Sequence, residues 1–221
     1  MKTLGFFFIL MFSFVATAGT LENRESNGGK GIVVGEKAYL LDLLERSPYD
    51  ASLPSKTTFV LGLKKEAVFR LFPASFPREK IYRKLIDLNQ FSPEVMMHLY
   101  NTARRLQWEL VEGPLVLTTD DNFVDGHWKG YPLVQFAERR VNAIRIDRKM
   151  WHRLDDVNKV ALVLHEIVYS AIDPISTGFQ SDLTRFFVSS IFSKEDFRAM
   201  NYEHTRLFWQ SVFFLKPVIR D

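Results

Sequence analysis

Two adjacent residues with chemical capacity stand in an otherwise aliphatic run. His165 and Glu166 interrupt Val160-Ala161-Leu162-Val163-Leu164 before Ile167 and Val168 resume it. An imidazole beside a carboxylate can move a proton or begin a metal site. Tyr169 and Asp173 follow His165 at four and eight residues, so on a helix they drift along its stripe. Burying His and Glu among aliphatic side chains is unfavourable unless they are paired, hydrogen-bonded or metal-bound. The residues therefore admit two readings. His165 is either a metal ligand, or a core histidine donating to a backbone carbonyl or a carboxylate in a satisfied network.

The elements that must position this pair are legible around it. At about 100° per residue, Val157, Val160, Ala161, Leu164, Val168 and Ala171 share one helix face, and Leu162, Val163 and Ile167 cover the rest. A helix apolar nearly all round is a buried central helix, expected over 155–172 and ended by Asp173-Pro174. Before it, Leu133–Ala137 and Asn142–Asp147 read as strands, the second with Ile144 and Ile146 inward. Trp108–Val111 and Leu115–Thr118 flank Gly113-Pro114 and suggest a hairpin or tight corner. Pro77-Arg78-Glu79 opens a helix, and Ser92-Pro93-Glu94 opens another with Ser as its cap. Arg139-Arg140 reads as a solvated face.

After the central helix, another spans 181–191. Its Arg185 is bracketed by apolar residues and placed to form a structural ion pair with Glu166 or Asp173. A further helical segment opens at 193–196, and an apolar run covers 207–215. Near the start, Asn27–Gly31 reads as a flexible turn into a short strand at 32–34, Tyr39–Glu45 as a short helix or strand, and 47–57 as a loop. The sum is an α+β chain, mainly helical, with a small, mostly antiparallel sheet packed against the central helix.

A strand ending Arg145-Ile146-Asp147, a connection, and a helix carrying Leu164-His165-Glu166 resemble the active-site helix of zincin-like metallopeptidases, over about 30 residues. In that family the helix reads H-E-x-x-H: two histidines one turn apart bind zinc and the glutamate activates the metal-bound water. Here the second histidine is Tyr169. The resemblance implies Glu166 as the catalytic base and His165, with Tyr169 and Asp173, as metal ligands. The chain is also similar to a group of exported bacterial proteins that begin near an Asn-Gly-Gly turn and carry Leu-His-Glu-x-x-Tyr. That group brings no known activity. Because zinc prefers Cys, His and carboxylate, the Tyr leaves no cofactor expected, with zinc the one metal the motif would admit.

Other motifs are weaker. Asp120–Gly126 is an acidic turn whose alignment on a calcium loop fails at Phe123 and Pro132. The Gly126–Tyr131 loop offers Trp128 and Tyr131, whose rings suit a peptide or sugar. The common serine hydrolase signatures are missing.

The first eighteen residues combine Lys2, an apolar stretch and Ala16-Thr17-Ala18, the form of a Sec signal peptide cleaved after Ala18. The expected mature chain, 19–221, is a single domain, periplasmic or secreted, with no transmembrane segment left after cleavage. The chain has 221 residues, 47% of them hydrophobic, which suffices for one real core. With 29 Lys and Arg against 26 Asp and Glu, nothing favours nucleic acid as a partner. The absence of Cys excludes disulfides and thiol catalysis. The expectation is an exported bacterial envelope protein with a zincin-like core and a binding or structural role toward a peptide or envelope component. The alternative is an active metallohydrolase using His165 and Glu166 with an atypical ligand set.

Overall fold

Lys30–Val34 (β1) and Lys37–Leu40 (β2) form an antiparallel hairpin in which Val34 faces Lys37 across a two-residue turn. Gly35 in that turn has φ +60°, the left-handed region open to glycine. A computed structural model of the chain describes residues 29–44, 63–116, 130–140, 142–172, 180–193 and 203–214. The expected signal segment 1–18, the loop expected over 47–57, the acidic turn, Trp128, Asp173 and residues 194–196 of the expected helical start lie outside the described residues.

The Gly-rich start is not a loose turn where it is described. Gly31 lies inside β1, opposite Leu40 on one side and Val134 on the other. A Cβ there would come within 2.1 Å of the Phe136 ring and 2.2 Å of the Tyr39 carbonyl oxygen. Glycine is required by close packing, so the strand starts two residues earlier than its β-branched residues suggest.

β1 also pairs antiparallel with Leu133–Gln135 (β4), giving the sheet order β2-β1-β4. The chain then crosses to a second sheet through Phe136, which is wholly buried. That sheet has the order β3-β6-β5, from Gln107–Val111 (β3), Ala143–Asp147 (β6) and Ala137–Arg140 (β5). The expected single small sheet is thus two three-stranded sheets, and the strand foreseen over 133–137 is divided between them. The pairing is mostly antiparallel, as expected, with β3 parallel to β6. Of the hairpin or tight corner expected at Gly113-Pro114 the described residues show the corner, and 117–118 of the expected second strand lie outside them. Gly113 does turn, with φ +91°, but Val116 beyond it is 74% exposed and has no face to bury. β3 pairs instead with β6, whose Ile144 and Ile146 are fully buried.

The helices follow: Leu41–Leu44 (α1), Lys65–Phe69 (α2), Arg78–Phe91 (α3), Pro93–Ala103 (α4), Arg148–Arg153 (α5), Asp156–Ala171 (α6), Gln180–Phe192 (α7) and Glu203–Phe214 (α8). Ser92 caps α4, its Oγ accepting from the Val95 N–H at 3.3 Å, with Pro93 at the first helical position. Asp147 and Asp155 cap α5 and α6 in the same way. α6 is the buried central helix. It packs against α3, α4, α7, α1 and β2, and every residue from Val160 to Val168 is buried. The result is α+β. No described helix is long and apolar enough to cross a membrane.

Candidate functional site

α6 carries three buried polar side chains, and all three reach the N-terminal hairpin and the short helix that follows it. Asn158 lies nearest the N-terminus of α6. Its Oδ1 accepts from the Leu40 N–H at 2.8 Å, while its own side-chain amide donates to the cap Asp155 at 2.9 Å. Two turns on, His165 Nδ1 lies 2.7 Å from Asp42 Oδ2. An ionised carboxylate only accepts, so Nδ1 carries the hydrogen. The next residue, Glu166, accepts the Gly29 N–H on Oε1 at 2.6 Å.

The centre is sealed. His165, Glu166 and Asp42 are 3%, 0% and 1% exposed. His165 Nε2, Glu166 Oε2 and Asp42 Oδ1 have no hydrogen-bond partner among the described residues. Burial alone would lower the His165 pKa. The adjacent Asp42 carboxylate, through its charge and hydrogen bond, outweighs it with help from Glu166 and against Arg185, so the pKa rises above its ordinary value. For Glu166, burial is the leading influence and raises the pKa. His165, the Gly29 N–H and Arg139 pull it back, and Asp42 adds to the rise. Arg139, read as solvated, therefore acts on the core.

Around this centre, Tyr169 stacks nearly parallel to His165, ring centroids 6.2 Å apart and planes 6° apart. Arg185 donates to Asp182 on its own helix at 2.7 Å, whereas among the described residues the Glu166 carboxyl takes Gly29 as its partner. The i, i+3 spacing puts Asp182 within reach without crossing to another helix. Asp173, the other partner foreseen and the third candidate ligand, lies outside the described residues. Of the aromatic loop, Tyr131 is described and 42% exposed.

The fit to zinc rests on His165. A ligating histidine has one nitrogen on the metal and the other on a carboxylate, and His165 has the second half of that arrangement in Asp42. The other half needs further donors. Glu166 is committed through Oε1 to Gly29, and among the described residues no three His, Asp or Glu side chains form a group able to hold a metal. The described residues therefore do not make a zinc site. They make a hydrogen-bonded centre that fastens residues 29–42 to the central helix.

Asp42, Asn158 and Gly29 are the members that sequence reasoning missed. Asp42 did carry a signal. It is a lone charge with two leucines on each side, in Leu40-Leu41-Asp42-Leu43-Leu44, the same kind of anomaly that marked His165. Gly29 takes part through its backbone, which no side-chain pattern reveals. No family model, curated protein or solved structure matches this chain.

Proposed function

We propose that the chain is an exported bacterial envelope protein that acts by binding or by structural support, and that its His165–Glu166 centre is an internal fastening and not a reaction centre. One observation carries this reading: the imidazole and both carboxylates are 3% exposed or less, so no substrate reaches them. Catalysis requires an accessible position beside the reacting groups. The N-terminal pattern of residues 1–18 supports export. Exposed Tyr131 supports placing contact with a peptide or envelope component on the loop before β4.

A second reading, a metallohydrolase with an atypical ligand set, is favoured by one feature. His165 Nδ1 is held by a carboxylate, and no described residue hydrogen-bonds to Nε2. Elemental analysis of the full chain, purified without chelators or a polyhistidine tag, separates the two. The fastening reading predicts no stoichiometric metal, and a His165→Ala variant that melts at a lower temperature. Stoichiometric zinc or iron that disappears in His165→Ala overturns it.

A further inference from the structure

We propose that the working chain begins at Gly29, produced by hydrolysis of the Gly28–Gly29 bond, and that Glu166 is the receptor for the new amino terminus. The proposal rests on the reading of Glu166 as part of a fastening. Gly29 N already points at Glu166 Oε1 from 2.6 Å, inside the core. Its carbonyl is held as firmly, accepting from the Phe136 N–H at 2.9 Å and the Ala137 N–H at 3.3 Å. A Cβ on this residue would sit 2.2 Å from a Leu162 methyl, so the position is shaped around glycine backbone.

A peptide N–H is a poor match for what faces it. It offers one hydrogen and no charge, whereas Glu166 has a second oxygen, buried and without a partner among the described residues. An ammonium offers three hydrogens and a full charge. Burial works against an ionised Glu166, and His165 and Arg139 offset it only in part. An ammonium at Gly29 would place a cation in direct contact with Glu166.

In the reaction, water adds across the amide and the C–N bond breaks. Its oxygen goes to the Gly28 carboxylate, and its two hydrogens complete the Gly29 ammonium. The catalyst is an endopeptidase. Because Gly29 is buried, the endopeptidase reaches the bond only while the hairpin is undocked, and the cut turns an N–H contact that the intact chain already makes into an ion pair.

The test begins with mass-spectrometric determination of the amino terminus of the protein recovered from cells that naturally make it. Gly29 is expected. A terminus at Gly19 overturns this proposal while leaving export standing, and Met1 overturns both. A second measurement uses the full chain with a specific protease site ending at residue 28, unfolded, cut there and refolded. After cutting, the Gly29 amine should resist acylation at least tenfold more than it does in Glu166→Gln. It should also resist more than the amine released by a cut before Asn27, a comparison that holds if Glu166→Gln fails to fold. Equal labelling in all three overturns the proposal. Metal analysis tests the underlying fastening reading separately from either readout.

Discussion

The two sheets meet at Phe136, yet they are held by different forces. The sheet β2-β1-β4 meets α6 through fully buried Leu40 and through backbone and polar contacts. Its anchors are single hydrogen bonds: Asn158 to Leu40, Glu166 to Gly29, and His165 to Asp42 just beyond β2. The Arg153 guanidinium adds bonds to the Gly35 and Glu36 carbonyls at the far turn. The sheet β3-β6-β5 is held by rings. Phe76 lies 4.3 Å from Trp151 and 5.7 Å from Trp108 between centroids, and Phe72 lies 5.7 Å from Trp108. Ring packing supplies area and tolerates some displacement. A buried hydrogen bond supplies little net energy but fails sharply when one partner is lost. The first sheet is therefore placed in one register, and the second is placed by bulk.

The largest effects should fall on both anchors, with opposite responses to repair. Asp42→Ala leaves His165 buried without its counter-charge and should cost about 3–5 kcal/mol in denaturant unfolding. Adding His165→Leu removes the stranded partner and should recover much of that loss. Trp151→Ala should cost about 3–5 kcal/mol as well, through a cavity that removal of no polar partner can mend. Equal repair at both sites would erase the contrast. Asn158→Ala should cost about 1–3 kcal/mol, because the Leu40 N–H loses its acceptor inside the core. Hydrogen exchange at Leu40 should rise in that variant while exchange at Ile144 does not.

The pH response sharpens the same contrast. His165 is held above its ordinary 6.5, so the folded state keeps a proton that the unfolded chain releases. Its contribution is complete below about 6.5 and is lost as pH rises through the raised folded value. Glu166, raised from 4.5, acts in the same direction at lower pH. The stability advantage of the parent over His165→Asn should therefore shrink as pH is raised from 6 to 9 (a span of about three units). An advantage that widens would show that the sign is wrong. Ser92→Ala, remote from both sheets, should cost about 1 kcal/mol by loss of the α4 cap. Guanidinium unfolding should show that loss without changing the exchange contrast between Leu40 and Ile144.

The difference between the anchors also explains what could be read in advance. α6 was legible at its full length because its period is local and the sequence sets Asp173-Pro174 just after it. The Ser92 cap was legible for the same reason: donor and acceptor lie three residues apart. That His165 would need a partner followed from burial energetics, but that the partner is Asp42 did not, since the two are 123 residues apart. β3 was found as a strand and given the wrong neighbour. Alternation shows which face is buried, whereas pairing with β6 is decided by what both strands pack upon. Gly31 read as flexibility because glycine permits it. Its use here is closeness, visible once Phe136 is in place.

The most direct test of the central claim is a double-mutant cycle on Asp42 and His165, using Asp42→Asn and His165→Asn and unfolding free energies at pH 6. If these residues form a sealed, mutually dependent fastening, the coupling energy should exceed about 1 kcal/mol. Single changes that add to within about 0.3–0.5 kcal/mol would mean the two do not depend on each other, and the account of this centre as a lock would fail.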